Sequence, residues 1–317
     1  MIDVSVVLVT YNSKWENVRI TLLSILRQKN VSLQIVIADD GSEKTYAKEI
    51  DKLMANYNFG EYLILNATKN RGTVLNISYA MTFVKGRYTK TIAPGDCFFD
   101  ENVLWRWLNF MQNNHLEVTF GNAVFYSKTQ DLKLYKTKGS PVNSYLYRLG
   151  SKRPRQFVDY LLANDTILGA AQLMKTDTLA KYIEIIKNKI VYAEDYMIRI
   201  MIYDGVGVIY YPENVIWYEY GTGISTSKNN KWEVILRADF ETSNDLISRR
   251  NEIDFMQKKF KLYLALRKNK LLKKLSKVLI FPSTVMYRIK IRFAKSSISL
   301  NTNIATEIEK KFCWIDI

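Results

Sequence analysis

The sequence predicts an α/β protein built on a doubly wound, mostly parallel sheet, and three observations support this fold class. A strand, a helix and a second strand follow one another within Val4 to Ser42. Apolar strand-like runs then keep alternating with helical patterns up to about residue 115. Polar residues follow the predicted strands at the edge where open α/β sheets bind ligands.

The opening unit is the clearest part of the pattern. Val4 to Val9 and Leu33 to Ile37 are near-continuous apolar runs rich in β-branched residues, as in parallel strands that are buried on both faces. Between them, apolar residues recur at helical spacing at Val18, Leu22, Ile25 and Leu26. A right-handed crossover then places Thr10-Tyr11-Asn12 beside Asp39-Asp40-Gly41-Ser42.

Further helices and strands complete the first 115 residues. The predicted helices are Glu43 to Tyr57, with Ser42 as its N-cap, Thr73 to Val84, and Glu101 to Asn114. The predicted strands are Glu61 to Leu65 and Arg87 to Ala93. The polar turn Asn70-Arg71-Gly72 comes after the first of these strands and before the helix that starts at Thr73. The polar turn Pro94-Gly95-Asp96 follows the second strand.

From residue 116 to 248 the pattern predicts a mixed half. Strand-like runs are Val118 to Tyr126, Leu132 to Tyr135, Thr166 to Met174, Val206 to Tyr211 and Val215 to Tyr220. Helical patterns are Arg153 to Ala163, Thr176 to Lys187, a helix opened by Glu194-Asp195, and Trp232 to Ser248. We therefore expect one domain over residues 1–248 and an extension over residues 249–317.

The positive charge is concentrated in the predicted extension. The chain of 317 residues has a formal net charge of +15, and its last 69 residues contain 17 Lys/Arg against 5 Asp/Glu. A basic tail on a nearly balanced domain favours contact of the tail with an anionic surface. Cys97 and Cys313 match no metal spacing, and so few cysteines are typical of a reducing compartment.

The tail also has an amphipathic pattern. Phe255 to Lys277 contains nine Lys/Arg and no acid, and one helical stripe of apolar residues runs through Leu271, Leu272, Leu275, Val278 and Leu279. This combination predicts a helix lying in a membrane interface. Two alternatives stay open: the tail packs on the domain or on a second subunit, or it binds nucleic acid. No signal peptide or membrane-spanning run is predicted, so we expect a cytoplasmic protein on the inner face of the membrane.

Six motifs in order resemble the family 2 glycosyltransferases of the GT-A fold, over roughly residues 3 to 230. They are Thr10-Tyr11-Asn12, Asp39-Asp40-Gly41-Ser42, Asn70 and Gly72 with Asn76, Gly86 with Tyr88, Asp96, and Glu194-Asp195. The resemblance implies transfer of a sugar, with inversion, from a nucleotide diphosphate sugar to an acceptor hydroxyl. It also divides the domain into a nucleotide-binding half, residues 1–115, and an acceptor half, residues 116–248.

The resemblance assigns the donor site to the first half. It implies that Asp40 lies against the nucleotide base and that Tyr11 stacks on it, in keeping with a carboxylate acceptor and a flat aromatic face. The other candidate donor-binding residues are Thr10, Asn12, Asp39, Arg71 and Asn76. A plain solvated turn is the alternative for Asp39-Asp40.

The family usually has a cluster such as Asp-x-Asp-Asp that binds Mn²⁺ or Mg²⁺ against the diphosphate. Here the corresponding residues are Ala93-Pro94-Gly95-Asp96, so Asp96 is the one acid that remains. Mg²⁺ uses one or two protein carboxylates and keeps waters, so Asp96 is the predicted metal ligand. Arg71 is the alternative cation for the leaving diphosphate, and a helix cap is the alternative role for Asp96.

The resemblance also implies the catalytic group. An inverting transfer needs a base within reach of the acceptor hydroxyl. Asp195 is the predicted general base and Glu194 its helper, with a helix cap as the alternative for both. Gly169 to Leu173 resembles the strand that lines the sugar pocket, and Ile224-Ser225 a loop over the diphosphate.

The resemblance, together with the basic tail, implies hexosyl transfer from a nucleotide sugar, with a UDP-sugar expected, to a lipid-linked glycan in surface polysaccharide synthesis, such as capsule or lipopolysaccharide. The expected partners are the donor, the acceptor, an anionic membrane surface and a second copy of the chain. The runner-up functions are a nucleotide-sugar-binding protein without activity and a basic nucleic-acid-binding protein.

Overall fold

The structure is a computed structural model that describes residues 1–126, 141, 144–151, 156–162, 166–219, 230–252, 254–269 and 272–282. Several predicted features lie outside these residues, wholly or in part: the strand Leu132 to Tyr135, the helix Arg153 to Ala163, the loop with Ile224-Ser225, Leu271, and everything after residue 282.

Eight strands of the described chain form one sheet. They are β1 (Val4–Thr10), β2 (Leu33–Asp39), β3 (Tyr62–Asn66), β4 (Tyr88–Ile92), β5 (Cys97–Phe98), β6 (Val118–Tyr126), β7 (Gln172–Lys175) and β8 (Val208–Glu219). Their order across the sheet is β3-β2-β1-β4-β7-β6-β8-β5.

Helices cover both faces of this sheet. They are α1 (Trp15–Leu26), α2 (Ala47–Asn56), α3 (Thr73–Ala80), α4 (Val103–Asn113), α5 (Thr176–Ile186), α6 (Met197–Asp204), α7 (Asn230–Ser248), α8 (Phe255–Leu266) and α9 (Leu272–Ile280). None of the helices within the described ranges is long and apolar enough to cross a membrane.

The parallel half has the predicted arrangement. β1 pairs in parallel with β2 and β4, and β2 pairs in parallel with β3. Because Thr10 is in register with Asp39, the two strands end side by side. The residues of β1, β2 and β4 are almost all buried, since α1 and α4 cover one face of the sheet and α3 the other, whereas most residues of β3 are partly exposed. The predicted doubly wound sheet is confirmed.

The second half is mixed, as predicted. β7 pairs antiparallel with both β4 and β6, whereas β8 runs parallel to β6 and β5 pairs antiparallel with β8. A separate core of apolar side chains fills this half, and it includes residues of α5, α6 and α8. The GT-A type of α/β fold is thereby confirmed.

The prediction for Ser42 was wrong. Helix α2 begins at Ala47, with Tyr46 as its N-cap residue, and not directly after Ser42. The Ser42 hydroxyl instead donates to the Asp39 carboxylate at 2.6 Å and accepts from the Asn12 N–H at 2.7 Å. The β1 and β2 loops thus use the serine that the sequence pattern assigned to a helix cap.

Other boundaries also differ from the prediction. Gly169–Ala171 forms a 3₁₀ turn, so the strand predicted over Thr166 to Met174 is reduced to β7. The two strands predicted around Pro212 are one strand, β8, which passes Pro212 in the stretch where its register to β6 shifts. A bulge tolerates proline because the ladder hydrogen bond is already absent there. Glu194–Tyr196 is a 3₁₀ turn that leads into α6.

Helix α8, the first helix of the predicted extension, packs on the second core. Phe260 and Leu264 are buried there, and the Gln257 amide donates to the Tyr203 carbonyl at 2.6 Å. Asp254 and Gln257 form a reciprocal capping box that fixes the start of the helix. The division of the chain at residue 248 stays a prediction.

Candidate active site

The turn after β2 is held together by one carboxylate. Asp39 accepts hydrogen bonds from the N–H groups of Gly41 and Ser42 at 3.1 and 2.7 Å, and from the Thr10 hydroxyl at 2.8 Å. With the Ser42 hydroxyl, four donors surround this side chain. Asp39 is therefore occupied in shaping the turn, which directs the neighbouring Asp40 toward the loop after β3.

Asp40 joins the β2 turn to the loop before α3. Its two oxygens accept the backbone N–H groups of Arg71 and Gly72 at 3.0 and 2.8 Å. The Arg71 Nε lies 3.7 Å from the same carboxylate and has no hydrogen-bond partner among the described residues. Burial raises the pKa of Asp40, while the Arg71 and Gly72 hydrogen bonds and the Arg71 charge lower it. These contacts fix the position of the carboxylate.

The other predicted donor-site residues lie along the same edge. Tyr11 follows β1 and is half exposed, so its ring is open to a ligand. Asn12 adopts the left-handed conformation (φ 45°), and its side chain accepts the Glu43 N–H at 3.0 Å. Asn76 is buried and donates to the Ala38 carbonyl at 2.7 Å, which ties α3 to the end of β2.

Asp96 lies beyond β4, buried next to a carboxylate that the sequence did not predict. Its Oδ1 accepts the Glu219 backbone N–H at 3.1 Å. A Cβ atom at Gly95 would lie only 2.0 Å from Glu219 Oε2, so the Glu219 carboxylate fills the side-chain space that glycine leaves. Asn17 donates to that oxygen at 2.9 Å. Burial, aided by the Glu219 charge, raises the pKa of Asp96 to about 7, although backbone hydrogen bonds and the Lys90 charge act to lower it.

Lys90 lies close enough to Asp96 and Glu194 to interact electrostatically with both. The side chain is fully buried in β4, and its ammonium group donates to the Thr91 carbonyl. Burial lowers the pKa of Lys90 to about 7, and the charges of Asp96 and Glu194 oppose that shift. One ammonium group therefore faces both the predicted diphosphate end and the predicted acceptor end of the site.

The donor set agrees with a divalent cation bound together with a diphosphate. Within the described residues, no three His, Cys, Asp or Glu side chains come together as a complete metal site. Asp96 and Glu219 do lie side by side, and Mg²⁺ sites commonly use one or two carboxylates with substrate phosphates and waters. These two residues would hold the cation.

Glu194 and Asp195 lie in the 3₁₀ turn before α6, both partly buried. A Cβ at Gly169 would lie 3.0 Å from Glu194 Oε1, so this glycine permits the close approach of the carboxylate. Loss of solvation is the main cause that raises the pKa of each carboxyl group. The charge of Asp195 raises the pKa of Glu194 further, and the charge of Asp239 raises that of Asp195. Groups with raised pKa values suit proton transfer near neutral pH.

The segment before this turn contacts the donor loop directly. Gly72 (φ 90°) lies against Val191, where a Cβ would be 2.6 Å from Val191 Cγ1. The Val191 carbonyl accepts the Val74 N–H at 3.1 Å, and the Tyr192 hydroxyl donates to Asn70 at 3.1 Å. The structure therefore brings the Asp40 loop and the Asp195 turn together at the carboxyl edge of the sheet.

Three charged residues of this region were not predicted. Lys90 is a single cation in a strand, Tyr88–Ile92, that is otherwise uncharged, which is a usable signal for a buried functional charge. Glu219 ends an apolar strand, as Asp39 does, and could have been selected on that ground. Asp239, which accepts three backbone N–H groups before the Glu194 turn, lies inside a long polar helix without any such signal.

Solved structures with the same fold carry nucleotides. S. aureus TarS 1-349 in complex with UDP-GlcNAc aligns with a TM-score of 0.56 at 15% identity, covering 90% of this chain and 81% of that chain. The mannosyltransferase PcManGT from Pyrobaculum calidifontis, in complex with GDP-Man and Mn²⁺, aligns with a TM-score of 0.56 at 13% identity. The alignment covers 98% of this chain and 79% of that chain. At such identities the likeness shows the fold.

The family is shown by the sequence itself. No match to the chain was found among curated proteins. The profile of the family described as "Glycosyl transferase family 2" matches residues 5–175, which is more than half of the chain and includes β1 to β4 with the Asp40 and Asp96 loops. The chain therefore belongs to glycosyl transferase family 2 and is a glycosyltransferase.

Proposed function

We propose that this protein transfers a hexosyl group from a nucleotide diphosphate sugar to an acceptor hydroxyl, with inversion at the sugar carbon. The observation that carries the proposal is the contact between two loops: Asp40 binds the backbone of the Gly72 loop, and that loop packs against Val191, four residues before Asp195. Such a transfer requires a general base and a nucleotide-binding site close together, and here the candidates for both lie at one edge of the sheet.

The donor would lie across the ends of β1, β2 and β4. Tyr11 offers a half-exposed ring for the base, Asp40 a fixed acceptor, and Arg71 a cation at the same carboxylate. The structural neighbours TarS and PcManGT, which were solved with UDP-GlcNAc and GDP-Man, support a nucleotide sugar as the donor. We expect a UDP-sugar.

Asp195 would remove the proton of the acceptor hydroxyl, with Glu194 assisting. Its raised pKa brings its basicity closer to neutral pH, where general-base catalysis is most efficient. On the opposite side, Asp96 and Glu219 would hold Mn²⁺ or Mg²⁺, which when bound stabilises the negative charge of the leaving diphosphate. The PcManGT structure, solved in complex with GDP-Man and Mn²⁺, supports the use of a divalent cation together with the donor.

The acceptor would be a lipid-linked glycan at an anionic membrane surface, as in capsule or lipopolysaccharide synthesis. Support comes from helix α9, whose apolar side chains Leu272, Leu275, Val278 and Leu279 are all exposed in a segment rich in lysine. An amphipathic basic helix of this kind lies in the membrane interface, and each cation near an anionic surface contributes about 1 kcal/mol. The protein would thus act in the cytoplasm, on the inner face of the membrane.

The direct test is a panel of nucleotide sugars assayed for thermal stabilisation, hydrolysis and transfer to a lipid-linked acceptor. The proposal predicts that one donor raises the melting temperature and is hydrolysed slowly without acceptor and transferred with it. Binding of one donor without hydrolysis or transfer would favour a nucleotide-sugar-binding protein. Stabilisation by none of the donors, together with salt-dependent binding of random duplex DNA, would favour a nucleic-acid-binding protein.

A further inference from the structure

One buried carboxylate of helix α7 binds the segment that leads into the predicted catalytic turn. Asp239 is 3% exposed. Its Oδ1 accepts the Val191 N–H at 3.0 Å, and its Oδ2 accepts the N–H groups of Tyr192 and Ala193 at 2.9 and 3.0 Å. Three consecutive backbone donors on one carboxylate fix the position of a loop more tightly than neutral hydrogen bonds would.

The bound segment connects both halves of the site. On one side, Val191 and Tyr192 contact the donor loop through the Val74 N–H, Gly72 and Asn70. On the other side, Ala193 is followed directly by Glu194 and Asp195. A displacement of residues 191–193 would therefore move Asp195, the proposed general base, relative to the nucleotide.

The same face of α7 also holds the helix that follows the turn. Arg199 of α6 is buried, donates to Ser243 and Asn244 at 3.1 and 2.9 Å, and lies over the Phe240 ring at 4.3 Å. Tyr196 packs edge-on against Phe240. Helix α7 thus contacts both the segment that precedes the predicted catalytic turn and the helix that follows it.

We propose that Asp239 is a positioning residue of the transfer reaction, whose carboxylate holds residues 191–193 so that Asp195 faces the donor. The inference rests on the proposed role of Asp195 as the base. Asp239 acts through the backbone and has no contact with substrate in this role. Its position in α7 makes that helix part of the catalytic apparatus.

Asp239 also acts on Asp195 electrostatically. Among the described residues, the charged groups that face Asp195 are Glu194 in its own turn, Arg199 from α6 and Asp239 from α7, and Lys90 of β4 faces the neighbouring Glu194. The Asp239 charge raises the pKa of Asp195, whereas Arg199 lowers it. Removal of the Asp239 charge should therefore lower that pKa and move the acidic limb of the kcat profile to lower pH.

The test compares Asp239→Asn with Asp245→Asn, the same change at an exposed position of the same helix. Hydrogen exchange of the amides of residues 191–193, UDP affinity and the pH profile of kcat are measured for each. We expect Asp239→Asn to lose protection of these amides, to lower kcat by about 10- to 100-fold through misplacement of the base, and to shift the acidic limb downward. Asp245→Asn should match the wild type in all three.

A wild-type kcat with an unmoved acidic limb and unchanged amide protection in Asp239→Asn would overturn the proposal. If Asp239→Asn does not fold, Asp239→Glu decides, because it keeps the charge and displaces the oxygens: a reduced kcat at unchanged UDP affinity supports positioning, and a wild-type kcat contradicts it. Amide protection is independent of turnover. A wild type that transfers no sugar would therefore refute the proposed function while the loop contact remained measurable.

Discussion

At the scale of single residues, Gly95 is one of the two positions, with Ala93, where this chain lacks an acid of the cluster usual in its family. With a positive φ of 99° and no side chain, it leaves a space that the Glu219 carboxylate occupies from β8. Glu219, more than a hundred positions later in the chain, thus places a second carboxylate near Asp96. The Glu219 backbone N–H donates to Asp96, and the Asn17 amide donates to the Glu219 carboxylate.

A first prediction concerns this pair of carboxylates. Glu219→Gln keeps the shape of the side chain but removes its charge, so it should reduce the enhancement of UDP binding by Mn²⁺ by at least about tenfold. Calorimetric titration with UDP, with and without Mn²⁺, measures this effect. Glu213→Gln on the same strand is the matched control. Full Mn²⁺ enhancement in Glu219→Gln would leave Asp96 as the sole carboxylate ligand.

A second prediction concerns the site predicted for the nucleotide base. Asp40→Asn should weaken UDP binding by about 1.5 to 3 kcal/mol, the range for a hydrogen bond to a charged group. Because Asp40 also holds the Arg71 and Gly72 N–H groups, the melting temperature of the variant must be measured alongside its affinity. Asp51→Asn, an exposed change on α2, serves as the control. An unchanged dissociation constant for UDP in a folded Asp40→Asn variant would mean that the nucleotide base binds elsewhere.

At the scale of elements, the sequence predicted best what periodicity determines. The buried strands β1 and β2 and the helix between them follow from apolar runs, because a strand covered on both faces has no polar alternation to misread. Ser42 was misassigned because a serine after a strand suits a helix cap and a turn equally well, and tertiary contacts with Asn12 and Asp39 decided between them. The 3₁₀ turn at Gly169 packs closely against Glu194, a contact between distant residues that no local pattern encodes.

Part of the candidate site could also be predicted from the sequence. Residues at strand ends, such as Asp40 and Asp96, could be found because parallel topology brings strand ends together. Asp239 could not be found, since its partners lie 46 to 48 positions earlier in the chain and it resembles any polar helix residue. The roles of the individual site residues stay predictions.

A third prediction belongs to helix α8. Phe260 is fully buried against Phe157, Tyr203 and Tyr263, so Phe260→Ala should lower the free energy of unfolding by about 3 to 5 kcal/mol. Leu262→Ala on the same helix is exposed and should change it by less than about 0.5 kcal/mol. Denaturant unfolding measures both values. Equal values for the two variants would mean that α8 does not contribute to the second core.

At the scale of the whole molecule, charge and function are separated along the chain. The predicted catalytic groups lie at the edge of a sheet within a nearly neutral domain, whereas most of the positive charge lies after residue 248. Helix α8 returns to the domain, and α9 presents exposed leucines next to it. In the proposed function, this arrangement would place the domain beside a membrane surface, and no helix in the described part of the chain is long and apolar enough to span one.

A fourth prediction tests that arrangement. Leu279→Glu introduces an acid into the exposed apolar stripe of α9 and should reduce flotation of the protein with anionic vesicles, as should high salt, which screens the cations. Val234→Glu, an equally charged change at an exposed position of α7, should leave flotation unchanged. Equal flotation of both variants and the wild type would favour packing of the tail on protein.

The central claim is that Asp195 is the base of an inverting transfer, and the turnover of Asp195→Asn tests it most directly. A positioned base contributes about 10² to 10⁴-fold in rate, so this variant should lose kcat by that factor while its donor affinity stays nearly unchanged. Glu194→Gln, its neighbour in the same turn, should lose less. Transfer by Asp195→Asn at the wild-type rate would contradict the account.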